Sequence, residues 1–247
     1  MLPLNPKFFL KMTFRYFKIF VFLFGLTPNL FAQTNPFAGQ WINEKYYNTV
    51  MKTKSPMKAF SSYFQSNIVF NKQLKGGHFL GWNFHEGEET ILKQVGNGYE
   101  LWRTEPKEKI GAISIVEADK KIKVGKETFV KIKSTDPTMC LEEMLFEGNY
   151  EWNGKPVKFN ANGTVTGLSG VKYFFPKCDF IEKILPFDLI VLNKVKDSMT
   201  GQNYIYEFKD NNLIIYNIDC QQQDPDTKDC MKGRKGKEKY ILKKIAN

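Results

Sequence analysis

Asparagine followed by glycine recurs along this 247-residue chain, at Asn97-Gly98, Asn153-Gly154 and Asn162-Gly163, and each dipeptide separates two short segments rich in β-branched and aromatic residues. Such pairs accept positive φ at little cost and close two-residue hairpins. Val124-Gly125-Lys126 and Asp210-Asn211-Asn212 read as further hairpin tips. Strands joined by tight turns pair with their sequence neighbours. The chain is therefore expected to be mainly β, in antiparallel up-and-down order.

Eight strands are expected in each half. In the first they span 39–42, 68–71, 78–84, 90–95, 99–103, 111–116, 120–124 and 128–133, and in the second 147–152, 156–159, 164–167, 171–175, 187–193, 203–208, 213–218 and 238–245. Eight short strands suit a small closed barrel, which leaves no exposed sheet edge. Alternation gives each strand one dry face: His78, Leu80, Trp82 and Phe84 share a side, as do Tyr204, Tyr206 and Phe208. The halves also open alike, FAGQWIN from Phe37 and FEGNYEW from Phe146, and each closes on a lysine-rich segment, ETFVKIK and EKYILKKI. Two tandem small barrels are expected, over residues 33–134 and 142–247, joined through KSTDPTMCLEE; one larger barrel wrapping both halves satisfies the same strand count.

The first strand is followed by a helical pattern. Asn43 is placed to cap a helix over residues 44–51, and Ser55-Pro56 begins a second over 56–64, with serine at the N-cap and proline where its missing N–H costs nothing. Met57, Phe60 and Phe64, at i, i+3 and i+7, give that second helix an apolar stripe.

Residues 1–32 read as a secretory signal peptide, with Lys7, Lys11, Arg15 and Lys18 ahead of the apolar run IFVFLFGL and a small residue, Ala32, at the expected cut. The run falls short of the roughly 18 apolar residues of a spanning helix. The expected address is secreted or periplasmic, soluble after cleavage near Ala32. Four cysteines, Cys140, Cys178, Cys220 and Cys230, follow the leader. In an exported chain an even count predicts disulfides. Proximity favours Cys220 with Cys230 and leaves Cys140 with Cys178; buried thiols are the alternative.

The net charge of +10 is unevenly distributed, since residues 228–247 hold eight basic and two acidic groups. The run Lys232 to Lys244 thus offers an anionic envelope surface a partner, or else it is a solvated strand end. It lacks interleaved aromatics that would stack bases, so nucleic acid is not expected.

Signatures of chemistry are sparse. His78 and His85, an odd number of residues apart, point to opposite faces of a strand, and no metal site or cofactor is expected. Asp224, Asp226 and Asp229 lack the glycine and bidentate glutamate of a calcium loop, and GLSG from Gly167 lacks the spacing of a nucleophile elbow. Catalytic carboxylates set by spatial neighbours stay open, but the expectation is a protein that is not an enzyme.

Gly39-Gln40-Trp41 on the first strand, with two helices before the second, resembles the calycins, meaning lipocalins and intracellular fatty-acid-binding proteins. The leader ending LFAQ also resembles those of small exported bacterial β-barrel proteins. The calycin resemblance implies that Trp41 plugs the barrel base and that the helices close its open end over an apolar cavity. The Thr-Asp-x-Tyr and Arg-x-Tyr elements of those families are absent, so a carboxylate clamp would fall to Arg103 or Lys131. The expected interior site lies near Trp41, Trp82, Tyr99, Trp102 and Phe129, beneath Phe60 and Phe64 of the helices. A small apolar ligand held there is the first functional expectation. The second is an envelope interaction module with solid barrels, using exposed loops and the basic tail.

Overall fold

The computed structural model describes residues 34–60, 65–82, 86–134, 139–178, 180, 185–197 and 200–245. One compact unit extends from Asn35 to Asn247. It contains two antiparallel eight-stranded barrels, the first closed and the second nearly so. Among the described residues no helix is long and apolar enough to cross a membrane.

The first barrel comprises β1 (Gly39–Asn43), β2 (Gln65–Phe70), β3 (His78–Trp82), β4 (Glu86–Val95), β5 (Gly98–Arg103), β6 (Lys109–Glu117), β7 (Lys121–Val124) and β8 (Glu127–Ile132). Each strand pairs with the next, and β1 returns to β8 with Trp41 opposite Lys131. Alternation behaves as the period of two requires: His78 and Leu80 are buried while Phe79 between them faces outward. Phe37, Trp41, Ile68, Phe70, Leu101 and Phe129 belong to one continuous apolar cluster that packs the interior. One expected turn moves by a residue, because Val95 pairs with Gly98 and the loop is Gly96-Asn97, with Gly96 at φ +58°.

The second barrel comprises β9 (Gly148–Trp152), β10 (Lys155–Phe159), β11 (Val165–Thr166), β12 (Tyr173–Pro176), β13 (Leu189–Asn193), β14 (Gln202–Lys209), β15 (Asn212–Gln223) and β16 (Cys230–Lys244). Its order is β11-β10-β9-β16-β15-β14-β13-β12. The two end strands meet through a Thr164↔Tyr173 bridge, with Val165 N–H donating to Lys172 O and Phe174 N–H to Gly163 O, both at 2.9 Å. At the hairpin tips, Asn153-Gly154 and Asp210-Asn211 all carry positive φ, as a primed two-residue turn demands. The basic segment is not a tail. Lys232 to Lys244 lies within β16, whose far end is inserted between β15 and β9.

The helix pair forms with the expected caps: α1 (Glu44–Thr53) receives Asn43 Oδ1 on the Lys45 N–H at 3.0 Å, and α2 (Pro56–Ala59) receives Ser55 Oγ on the Lys58 N–H at 3.2 Å. Their buried side chains do something other than roof the first barrel. Tyr46, Val50 and Ala59 join the apolar core of the second barrel, together with Ile42 of β1 and Ile132 of β8. The cause is local. Trp41 and Phe129 turn into the first barrel, so their neighbours Ile42 and Ile132 face out and present an apolar wall that must be covered.

Phe146, at the end of a π-helical turn over Glu142–Phe146, fills the centre of that shared core, with its ring centroid 5.0 Å from Tyr206 and 5.5 Å from Phe174. Cys220 and Cys230 form the expected disulfide. Cys140 and Cys178 correct the second pairing: both are thiols. Cys140 is fully buried among apolar side chains, where burial pushes its pKa up and it behaves as a small hydrophobe.

Candidate functional site, an outer cleft on the second barrel

The strands β13 to β15 have two apolar faces. Tyr204 and Tyr206 turn into the main core, while Ile205 between them joins Ile214, Tyr216, Phe187, Leu189 and Ile218 in a separate cluster on the opposite face. That outer cluster floors the site.

Its wall comes from a change in pairing. The ladder between β14 and β15 runs from Lys209↔Asn212 to Ile205↔Tyr216, whereas β15 and β16 continue together to Gln223↔Cys230. Register shifts fall on either side of Tyr216, and there β16 supplies extra residues. Such bulges bend a strand pair and increase its twist. Two glycines permit the close approach: a Cβ on Gly236 would lie 2.9 Å from Asn217 O, and one on Gly233 would lie 3.0 Å from the Ile218 side chain. The distal ribbon is tipped by the disulfide and by an Asx turn in which Asp224 Oδ1 accepts from the N–H groups of Asp226 (2.9 Å) and Thr227 (2.8 Å).

Between ribbon and barrel wall lies a cleft of about 420 Å³. It is lined by Phe187, Leu189 and Ile218, by Gln202 and Asn203 of β14, by both disulfide cysteines, and by Lys177 and Lys228. Asn203 Oδ1 is buried and has no hydrogen-bond partner among the described residues. An unpaired buried carbonyl oxygen carries a desolvation cost of roughly 1–3 kcal/mol. Neither lysine ammonium has a carboxylate partner among the described residues; Lys228 Nζ donates only to Pro225 O. The arrangement offers an apolar floor, an acceptor with no donor among the described residues, and two cations beside one carboxylate, Asp229.

A neighbouring cleft of about 360 Å³ is bordered by Lys54, Ser55, Lys58, Asp188 and Lys209. Asp188 Oδ1 accepts the Met57 N–H at 2.9 Å, tying α2 to the second barrel. Burial raises the pKa of this carboxyl, against the lowering effect of Ser55 and Met57. Its role is structural.

The residues expected to form an interior site are dispersed. Trp41 and Phe129 lie within the packed first barrel, and Trp41 Nε1 donates to Phe37 O at 2.7 Å. Tyr99 packs edge-on against Phe37 at 5.4 Å. Trp82 lies beside the same core with the Arg103 guanidinium 5.8 Å from its ring centre. Arg103 is ion-paired with Glu88 and Glu108, each at 2.9 Å, and Lys131 with Asp119 at 3.4 Å, so each candidate clamp already has an anion. Trp102 follows inward-facing Leu101 and so points outward, where Lys93 Nζ stands 3.5 Å from its ring centre. Phe60 meets Phe180 of the second half at 5.7 Å. Phe64 and His85 lie outside the described residues. Among the described residues no three His, Cys, Asp or Glu gather as a metal site.

The basic strand is also less cationic than its sequence. Residues 217–239 of the ribbon carry six basic side chains, Lys228, Lys232, Arg234, Lys235, Lys237 and Lys239, and five acidic ones, Asp219, Asp224, Asp226, Asp229 and Glu238. Arg234 Nε bonds Asp219 at 2.6 Å and Lys235 pairs with Glu207. At Asp219↔Arg234 the antiparallel register itself sets an acid opposite a base.

Sequence reasoning named Cys220 and Cys230 but missed Asn203, Lys177, Phe187 and Leu189. Two signals were present: a disulfide closing a polar loop, and an asparagine opening the aromatic-rich strand QNYIYEF. Comparison with family models, curated proteins and solved structures gives no match for the chain.

Proposed function

We propose that this is an exported, non-enzymatic binding protein whose barrels are solid scaffolds and whose ligand is held in the outer cleft of the second barrel. The observation that carries this reading is the contrast between two interiors packed with buried aromatics and an open cleft of about 420 Å³ holding a buried amide oxygen that has no partner among the described residues. That volume lies in the usual range of roughly 300–1,000 Å³ for small-molecule sites. Export is supported by the charged and apolar leader and by the disulfide, a bond favoured in oxidising compartments. The balanced charge of the ribbon argues against a purely electrostatic partner, because opposite charges at close range cancel beyond about one Debye length.

The test is titration with 1-anilinonaphthalene-8-sulfonate, whose emission rises on apolar burial. Leu189→Glu places a charge on the cleft floor and is expected to abolish the signal. Lys131→Ala, at the first barrel, is expected to leave it unchanged. The reverse pattern would return the ligand to the first barrel's interior.

A further inference from the structure

The outer-cleft reading leaves the ligand open, and the cleft's own chemistry narrows it. The floor of Phe187, Leu189 and Ile218 selects an apolar chain. Lys177 and Lys228 favour an anionic head: both border the cavity and neither is ion-paired among the described residues, so with Asp229, the acid of the same lining, the cleft keeps a net positive charge. Asn203 adds a third requirement. Its side-chain oxygen, buried and without a donor among the described residues, calls for an N–H or O–H from the occupant.

The backbone beside Asn203 asks for the same chemistry. From Gln202 to Tyr204, β14 pairs with β13 through Gln202↔Leu192, Asn203↔Val191 and Tyr204↔Ile190, but its ladder to β15 begins only at Ile205. Tyr206 N–H donates toward β13, to Asp188 O at 3.0 Å, so by alternation the odd-numbered residues direct their backbone groups to the other side. Asn203 therefore presents peptide groups to the cleft where β15 has diverged. An amide is the group that both donates and accepts in such a place.

We propose that the cleft binds a small amphipathic acid whose apolar chain is joined to its carboxylate through an amide, the chemistry of an N-acyl amino acid. The chain lies on Phe187, Leu189 and Ile218, the amide N–H donates to Asn203, and the carboxylate sits between Lys177 and Lys228. Lipids and peptides that share this chemistry are sources of it. The disulfide between Cys220 and Cys230 holds the ribbon wall in place.

Calorimetric titration of the folded, oxidised protein with three probes tests this, the inference resting on the outer-cleft reading. N-octanoylglycine carries all three features, octanoate lacks the amide, and N-octanoylglycine methyl ester lacks the charge. N-octanoylglycine is expected to bind roughly two- to tenfold more tightly than either, the range of one hydrogen bond. Asn203→Leu should erase its advantage over octanoate. Raising ionic strength, or replacing the exposed ammoniums by Lys177→Gln with Lys228→Gln, should erase only its advantage over the ester. The surface pair serves if Asn203→Leu does not fold.

Equal affinities for the three probes overturn the ligand class, as does an amide advantage that survives Asn203→Leu or a carboxylate advantage that survives the lysine changes. If the naphthalene dye is still displaced from the cleft by Leu189→Glu in that event, the cleft reading stands alone. If the dye ignores that substitution, the cleft reading falls as well. An acylated lipid and an apolar peptide with a free carboxylate, titrated against N-octanoylglycine, separate the two sources.

Discussion

His78 begins β3 with its imidazole turned into the first barrel, 5.4 Å from the ring of Phe70. Its Nδ1 accepts the Asn71 N–H at 3.1 Å, which leaves the proton on Nε2. Burial lowers its pKa below the ordinary 6.5, opposed in part by the Leu74 backbone. The unfolded chain thus takes up a proton more readily than the folded one, so stability is present above pH 6.5 and declines as pH falls through the folded value. Denaturant melts between pH 7 and pH 5 should show this loss, and His78→Gln should flatten it. Asp188 has the opposite sign. Its raised pKa means that the charged carboxylate disfavours folding above that pKa, and protonation relieves the cost. Asp188→Asn keeps an acceptor for the Met57 N–H, and it is expected to raise stability at pH 7, a gain that fades as pH falls toward the ordinary carboxylate range. A melt that drops at neutral pH would show that the charge is needed there.

At the level of elements, much of the strand order was legible. Where one face is dry and the other wet, alternation and glycine turns reveal the strand, and β3 through β8 begin and end within a few residues of expectation. The distal halves of β15 and β16 escaped notice. QQQDPDTKD and KGRKGK show no alternation because water bathes both faces, and the strands are held by each other and by the disulfide. The helix pair was legible at its starts and caps, though the second is a single turn, Pro56–Ala59, against the expected 56–64, whose residues 61–64 lie outside those described; its packing partner was not legible. A stripe of apolar residues says that something must be covered, not what. Tyr46 and Val50 find the second barrel because Ile42 and Ile132 have already turned that way. Val50→Ala, at a fully buried site, is expected to cost about 2 kcal/mol. Calorimetry should record one transition shifted downward for both barrels. Two separated transitions would mean that the helices do not couple them.

On the scale of the whole molecule, the cleft was the least legible feature, because Lys177, Leu189, Asn203, Ile218 and Lys228 come together only after four separate segments have folded. The disulfide governs its ribbon wall. Closing a loop of ten residues should stabilise the ribbon by about 3 kcal/mol on the chain-entropy model. Cys220→Ser with Cys230→Ser is expected to speed amide exchange over residues 217–223 and to weaken dye binding in the cleft, while the barrels melt nearly as before. Unchanged exchange would show that backbone pairing alone maintains the ribbon.

The placement of β16 has a temporal consequence. It follows every other strand in the chain, yet it alone joins β15 to β9. Until this fifteen-residue strand pairs, β9–β11 and β12–β15 meet, among the described strands, only at the Thr164↔Tyr173 bridge, and their inward tyrosines and phenylalanines stay wet while the chain is being made. Its lysines then serve a purpose apart from any ligand: a late strand dense in cations resists sticking to its unfinished neighbours from other chains, and so protects assembly at its most vulnerable moment.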